Sequence, residues 1–178
     1  LKREKELGLT IYPSEFNVFK ALKECAFENC RAIIDGVEPY ANGCANGLAY
    51  DHSITKQPIA PALLRLLTKI KTDSGLDLFG AKDSYLSQLP PKGVLLLNLA
   101  LTVRAGEVGS HLIYWRTFTR ELMKVLATKK DVIHVLLGAK TQAFAADILS
   151  SSNSIIRGSS PAPLSGPNFN TQPLFTWI

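Results

Sequence analysis

The order of apolar segments predicts an α/β protein built on a mostly parallel sheet. Short continuous apolar runs, typical of strands buried on both faces, alternate along the chain with segments whose apolar residues recur at helical spacing. Polar loops rich in Gly, Pro, Ser and Asn separate these segments. We therefore expect a three-layer sandwich with a central, mostly parallel four-stranded sheet flanked by helices.

Four apolar runs are the predicted strands. They cover residues 31–35, 93–98, 132–137 and 154–157. The run at 93–98 is the clearest of the four, and the run at 154–157 is the weakest. Each is short enough for a strand, and each is bounded by glycine or polar residues.

Two helices are predicted ahead of the second strand. Ser14 can cap a helix that continues to about residue 26. Its apolar face would consist of Val18, Phe19, Leu22 and Cys25. Pro61 suits the first turn of the next helix, because the amide that proline lacks is not needed there. The apolar residues of that helix follow helical spacing: Leu63, Leu66, Leu67 and Ile70.

Three more helical segments are predicted in the second half of the chain. Thr117 is a candidate cap for a helix that follows it. The residues that this helix would bury are Phe118, Leu122, Val125 and Leu126. Residues 141–149 form the next predicted helix, and residues 168–178 begin a last one.

Composition is typical of a soluble globular protein. The chain has 178 residues, of which 46% are hydrophobic and 20% charged, so we expect residues 1–178 to form one domain. No apolar run approaches the roughly 18 residues that a membrane helix needs. The charged stretch at residues 2–6 argues against a signal peptide, and Leu1 in place of Met suggests trimmed termini.

Cysteine content and net charge restrict the expected chemistry further. Cys25, Cys30 and Cys44 are odd in number and form no CxxC pair, so neither a disulfide framework nor a zinc site is expected. The formal charge of +5 suits a polyanionic partner such as nucleic acid. Because no dense Lys/Arg block is present, charge alone leaves nucleic-acid binding open.

Three loops follow the predicted strands and should meet at one edge of the sheet. They span residues 36–52, 98–112 and 158–166. Ligands of parallel α/β sheets bind outside the carboxyl ends of the strands. Glu38 and Tyr40 lie in the first loop, Asn98 opens the second, and Leu164 lies on a proline-braced third. Taken singly, each is equally compatible with an ordinary turn, strand end or surface loop.

Taken together, three sequence motifs carry a family resemblance. Residues 36–41 with 47–52 are similar to GQDPYH followed by GLAFSV, and residues 93–106 match GVLLLNxxLTVRAG almost completely. Residues 160–165 are similar to HPSPLS. In these motifs, and in order over essentially the whole chain, the sequence resembles the uracil-DNA glycosylase family of the common bacterial, human and herpesviral type.

The resemblance implies a pocket for a base flipped out of DNA. By position, Tyr50 matches the Phe that stacks on the base, and Asn98 matches the Asn that reads its Watson–Crick edge. Tyr40 matches the Tyr that blocks the C5 methyl of thymine, and Val37 belongs to the same base-binding motif. Leu164 matches the Leu that enters the duplex where the base has left.

The resemblance also implies catalytic and DNA-contacting residues. Glu38 replaces the family's catalytic aspartate, and Ser160 replaces its histidine. Ala41 and Ala62 replace a family His and a family Ser. The implied DNA-contacting residues are Ala62, Lys140, Ser159, Ser160, Pro163, Leu164 and Ser165.

The implied activity is hydrolysis of the bond between uracil and deoxyribose in base excision repair, without metal or organic cofactor. We expect a slow enzyme, because Glu38 and Ser160 change the two catalytic groups. An inactive homologue that binds DNA or serves as decoy or scaffold is an alternative. Another is a glycosylase for a different base, modified ones included, which Tyr50 and Ala41 would allow, although Tyr40 argues against a C5-substituted pyrimidine. Such a base could pair with the hydroxyl of Tyr50. A nucleotide-binding α/β protein is disfavoured, since no GxGxxG or P-loop is present.

Partners and location follow from the same resemblance. The expected partner is uracil-containing DNA, single- or double-stranded, and a second is a proteinaceous glycosylase inhibitor that mimics DNA. We expect a monomer with no membrane partner. The expected compartment is the cytoplasm in a bacterial or phage setting, or the nucleus in a eukaryotic or viral one.

Overall fold

The structure is a computed structural model, and it describes residues 2–53, 58–162, 169 and 171–178. The strands are β1 (Ile11–Tyr12), β2 (Ala32–Gly36), β3 (Val94–Asn98), β4 (Val103–Arg104), β5 (Ile133–Leu137) and β6 (Ser154–Gly158). The helices are α1 (Lys2–Glu6), α2 (Lys20–Glu24), α3 (Pro61–Ser74), α4 (Leu112–Leu126) and α5 (Ala139–Ala145). Short 3₁₀ turns cover Glu15–Asn17 and Pro90–Lys92.

The central sheet has four parallel strands in the order β3-β2-β5-β6. All five residues of β2 and of β3 are buried, which explains why their sequences are continuously apolar rather than alternating. The helices provide the covering layers. The predicted fold class, a four-stranded parallel sheet flanked by helices, is confirmed.

Helix α3 begins at Pro61, as predicted, and buries Leu63, Leu66, Leu67 and Ile70. Its last turn ends at Gly75, whose φ of 77° is the left-handed conformation that stops many helices. The four apolar residues belong to the same core cluster as β2 and β3. This packing fixes α3 against the sheet.

Strands β1 and β4 form a small antiparallel pair that the sequence did not predict. Each has two residues, which is too short for an alternating pattern to be recognisable. The pair ties the second loop to the N-terminal segment, and Arg104 in β4 forms ion pairs with Glu4 and Glu107. This pairing anchors the far end of the second loop.

Two predicted helix starts are wrong. Ser14 makes no side-chain cap bond, and a 3₁₀ turn separates it from α2. Thr117 lies inside α4, which begins five residues earlier at Leu112 without a capping side-chain bond. The helix consequently presents a different face: Phe118 and Val125 are 41% and 53% exposed, whereas Thr119 and Met123 are buried.

The predicted last helix is also wrong for residues 171–178, none of which is helical. Leu174 and Phe175 are buried in the core, and their amides donate to the carboxylate of Asp73 at 2.7 and 3.1 Å. Side-chain packing and these two bonds stabilise the segment without helical bonding. Among the described residues, no helix has the length and apolarity to cross a membrane.

Candidate active site

A cavity of about 180 Å³ lies at the carboxyl edge of the sheet, beside the ends of β2 and β3. Its lining residues are Val37, Glu38, Pro39, Tyr40, Leu48, Tyr50, Ala62, Asn98, Ser160 and Ala162. It thus gathers every predicted base-binding and catalytic residue from three loops. A larger cavity lies beside α4 and the N-terminal segment, and another adjoins this one at Ser160. At about 180 Å³, the cavity at the strand ends is smaller than the roughly 300–1,000 Å³ of pockets for drug-sized ligands, a size suited to a single ring.

The first and second loops are joined directly beneath the cavity. The amide of Leu99 donates to the carbonyl of Gly36, and the amide of Ala100 donates to the carbonyl of Val37, both at 2.9 Å. These bonds continue the pairing of β2 with β3 past the ends of the strands. They hold Asn98 in a fixed position relative to the first loop.

Asn98 is the most buried polar residue of the cavity wall, with 4% of its surface exposed. It packs over Gly36, where any side chain would begin 2.3 Å from the Asn98 Oδ1 atom, so the glycine is required there. Within the described part of the chain, Oδ1 has no hydrogen-bond partner. A buried amide oxygen without a partner is costly, and a ligand that donates to it would remove that cost.

Tyr40 and Tyr50 also line the cavity and form a hydrogen-bonded pair, here called the tyrosine clamp. The Tyr40 hydroxyl donates to the Tyr50 carbonyl at 2.9 Å, and the Tyr50 hydroxyl donates to the Asp35 carbonyl at 3.0 Å. Tyr50 has a φ of 63°, a conformation that is uncommon for a residue with a side chain and needs such support. Burial raises the pKa of both tyrosines, so both hydroxyls remain donors.

The Tyr50 hydroxyl therefore has a partner inside the protein. The sequence alone is compatible with a modified base as this partner. The bond to Asp35 removes that argument for an altered substrate, because the buried hydroxyl is already satisfied.

A polar network that the sequence did not single out holds the first loop from behind. Asn46 donates to Asp51 at 2.9 Å, and Asp51 accepts from the amide of Leu86 at 3.2 Å. The His52 Nε2 atom accepts from the amide of Ala60 at 3.1 Å, which places the start of α3 beside the first loop. The sequence motifs drew attention to Glu38 and Tyr40. No sequence pattern indicated that Asp51 and His52 hold the loop in place.

Glu38 lies on the cavity wall and is bound to the second loop. Its two carboxylate oxygens accept from the amide of Gly109 at 3.0 and 2.8 Å. Gly109 has a φ of 86°, which glycine adopts readily. The carboxylate is thus held by main chain, at the position where the family resemblance implies a catalytic aspartate.

Ser160 closes the cavity from the third loop. Its hydroxyl accepts from the amide of Ala162 at 3.2 Å, and its Cβ packs against Gly138 so closely that a side chain there would begin 2.9 Å away. Arg65 of α3 donates to the carbonyls of Pro161 and Ala162 at 3.3 and 2.9 Å. The described part of the third loop is thus fixed to α3.

The predicted DNA-contacting residues are only partly brought together. Ala62 lies in the cavity wall, and Ser159 lies beside it in a polar depression that also includes Arg157. Lys140 lies at the start of α5, in a groove next to the cavity. Ser160 lines the cavity itself, and the other three, Pro163, Leu164 and Ser165, lie outside the described residues.

Two buried ionisable side chains lie in the sheet below the site. Asp35 is fully buried, and neither carboxylate oxygen has a partner among the described residues. Burial, with a smaller contribution from nearby Cys30, raises the pKa of Asp35 to about 8. Burial also lowers the pKa of His134 to about 4. Both side chains are therefore uncharged at neutral pH.

Similar proteins share the sequence over most of its length, although no protein-family model matches the chain. A uracil-DNA glycosylase of Azotobacter vinelandii is 33% identical over 168 residues, which are 93% of this chain and 71% of that protein. The uracil-DNA glycosylase of Clostridioides difficile is 36% identical over 87% of this chain and 69% of its own length. That of Neisseria meningitidis is 36% identical, with coverages of 93% and 76%.

Solved structures share the fold. Mimivirus uracil-DNA glycosylase superposes with a TM-score of 0.81 at 22% sequence identity. The match covers 91% of this chain and 60% of the mimivirus chain. A variant of the mimivirus protein in complex with UGI gives 0.83 at 20% identity, with coverages of 97% and 78%. The protein from Nitratifractor salsuginis gives 0.65 at 20% identity, with coverages of 85% and 72%.

Proposed function

This chain belongs to the uracil-DNA glycosylase family, and from that premise we propose that it hydrolyses the bond between uracil and deoxyribose in DNA as a step of DNA repair. The observation that carries the proposal is the buried, unpartnered Oδ1 of Asn98 in a cavity of single-ring size. Uracil offers an imide N–H to that oxygen and a carbonyl to the amide nitrogen.

Selection for uracil would follow from the rigidity of the tyrosine clamp. Tyr40 is bonded to the main chain of Tyr50, so its ring cannot swing away without breaking that bond. A fixed ring at the C5 position would exclude the methyl group of thymine by steric overlap. Asn98 would reject cytosine, whose exocyclic amine and unprotonated N3 reverse the hydrogen-bonding pattern.

The reaction itself needs a carboxylate and a donor on opposite sides of the sugar–base bond. Glu38 would stabilise positive charge on the sugar and orient the water whose oxygen bonds to C1′ as the bond to N1 breaks. The uracil anion would leave with its charge facing Asn98 and Ser160. The proton lost by the water passes to the carboxylate or to solvent, and the uracil anion takes up a proton on release.

We propose that this chemistry is slow. Glu38 is one methylene longer than aspartate and is bonded to the amide of Gly109. Ser160 has a short side chain and accepts a bond from Ala162. A misplacement on the order of 1 Å can cost about 10²-fold in rate, and a lost donor to developing charge costs about 10²–10³-fold.

Glu38 and Ser160 also favour a second candidate function, a homologue that binds uracil-containing DNA without cleaving it. Both changed groups already have main-chain partners, which would suit a binding site as well as a slow enzyme. The recognition residues are common to both functions. Only a cleavage measurement separates them.

The proposed partner is uracil-containing DNA, in single or double strands, bound by a monomer without a cofactor. Because a mimivirus relative of this fold was solved in complex with UGI, we propose that an inhibitor protein of this kind can bind the same edge of the sheet. The site of action would be wherever the cell's or virus's DNA lies, the cytoplasm or the nucleus.

The test is incubation of the pure protein with an oligonucleotide that contains one uracil, followed by alkali. Strand breaks at the uracil, and none in a matched thymine oligonucleotide, would support the proposed activity. Specific binding of the uracil strand without breaks would establish the binding-only function instead. Neither binding nor breaks would contradict both.

A further inference from the structure

An apolar groove continues from the base cavity across the carboxyl edge of the sheet. It has a volume of about 340 Å³, and Val37 lines both the cavity and the groove. Leu99, directly after β3, and Leu112, in the first turn of α4, form its apolar floor together with Phe144 of α5. The groove is therefore assembled from the segments that follow three neighbouring strands.

Two basic side chains border this groove. Arg116 of α4 and Lys140 of α5 are exposed, and neither forms a salt bridge within the part of the chain that the structure describes. The nearby carboxylate of Asp147 accepts two hydrogen bonds from Arg120, at 3.1 and 2.7 Å, and interacts more weakly with the charge of Arg116. The groove thus combines an apolar floor with positive charge at its border.

We propose that the groove binds one unpaired nucleotide next to the flipped uracil, with its base on Phe144 and its phosphate beside Arg116 and Lys140. This inference rests on the proposed function for the position of the uracil. Aromatic and apolar surfaces accept any base, because every base has a π-face, and basic residues at the border attract the backbone.

The positive charge of the groove and its continuity with the cavity indicate a DNA strand as the occupant. A strand whose uracil lies in the cavity must continue along this edge, and the groove is the adjoining depression that offers both an aromatic ring and cations. In a duplex, the neighbouring base remains stacked and paired, so it cannot reach the floor. The groove should therefore favour single-stranded over double-stranded DNA.

The test measures binding of a uracil-free, thymine-only single strand by fluorescence anisotropy, so it does not require glycosylase activity. Phe144→Ala and Phe144→Leu should each weaken binding by about tenfold, because both remove the ring and the second keeps apolar volume. Phe118→Ala is the matched control, since Phe118 is a partly exposed ring outside the groove and its removal should leave affinity unchanged. Neither Phe144 variant should alter binding of the same sequence as a duplex.

Charge is tested through salt dependence. Arg116→Gln should lower the slope of log affinity against log salt for the single strand by about 0.7, whereas Lys124→Gln, on the same helix beside Glu121, should not. Unchanged single-strand affinity in the Phe144 variants, equal losses on duplex, or no binding by the wild type would overturn the proposal. A wild type that binds through Phe144 but releases no uracil would refute the glycosylase activity and leave the groove intact.

Discussion

The proposed recognition wall of the cavity (Asn98, Tyr40 and Tyr50) differs from the proposed catalytic wall (Glu38 and Ser160) in what holds each side chain. The tyrosines are fixed by bonds from their hydroxyls to main-chain carbonyls, and Asn98 packs over Gly36 with one oxygen unpartnered. On the catalytic wall, both polar groups already accept bonds from main-chain amides. The recognition wall is thus prepared for a ligand, whereas the catalytic wall is largely satisfied by the protein.

The largest expected effect comes from breaking the recognition wall. Asn98→Asp should lower uracil release by on the order of 10²–10³-fold, because a carboxylate cannot donate and repels the leaving anion. Single-turnover cleavage measures this, with exposed Asn29→Asp as the matched control. Full activity in Asn98→Asp would show that uracil is read elsewhere.

The catalytic wall should respond in the opposite direction. Glu38→Asp combined with Ser160→His should raise uracil release, with each change alone giving up to about 10²-fold, since a shorter carboxylate and a longer donor correct two displaced groups. The two effects act on one transition state and need not add. Ser159→His is the control for a histidine placed on the same loop.

A double variant that keeps its fold and its DNA affinity but gains no cleavage would contradict this account of the catalytic wall. The binding-only function would then replace the slow glycosylase. A gain in Ser159→His equal to that in Ser160→His would mean that any added imidazole near the site suffices.

The buried acid below the recognition wall should make stability depend on pH. Between pH 5 and 7 the unfolded chain ionises Asp35 while the folded chain, with a pKa of about 8 there, keeps its proton. Because the unfolded state binds fewer protons than the folded state in this range, Asp35 makes the free energy of unfolding fall as pH rises. The gain in free energy of unfolding from Asp35→Leu should therefore grow by about 2–3 kcal/mol from pH 5 to 7.

Urea denaturation of wild type and variant at both pH values measures that difference. His134 acts in the opposite direction, because its pKa of about 4 means stability is lost as pH falls below the ordinary histidine value. His134 is present in the wild type and in Asp35→Leu, so its contribution cancels when their free energies of unfolding are subtracted. Asp83→Leu, at an exposed position, should show no such growth, and a pH-independent effect of Asp35→Leu would mean that Asp35 is charged when folded.

The smallest expected effect is loss of one end of the tyrosine clamp. Tyr50→Phe keeps the stacking ring but removes the bond to the Asp35 carbonyl, which should lower the free energy of unfolding by about 1 kcal/mol. Thermal unfolding compares this variant with Tyr114→Phe, which changes an exposed tyrosine. An unchanged stability in Tyr50→Phe would show that the hydroxyl does not hold the ring.

The sequence predicted the sheet and the cavity better than it predicted the helices. Buried parallel strands are recognisable because every residue is apolar, and the loops after them must share one edge. Thr117 was misassigned as a cap because α4 begins at Leu112, a start that no capping side chain marks. Strands β1 and β4 could not be predicted either, because two residues are too few to show an alternating pattern.

Within the cavity, the sequence predicted which residues meet but not how each is held. The bonds of Glu38 to Gly109 and of Tyr50 to Asp35 join positions 71 and 15 residues apart, and no local pattern indicates them. Asp35 lies in an apolar run, so its burial without a partner could be recognised only from the folded chain. The role of Leu164 as a wedge stays a prediction, because that residue lies outside the described residues.

The most direct test of the central claim, that this cavity is a uracil site, is a crystal structure of the protein soaked with free uracil. The account predicts uracil in the cavity, its ring stacked on Tyr50 and C5 facing Tyr40. The Asn98 Oδ1 and Nδ2 atoms should lie at about 2.7–3.2 Å from the base edge. Uracil bound elsewhere, or bound in the cavity with the Asn98 side chain beyond hydrogen-bond distance, would contradict it.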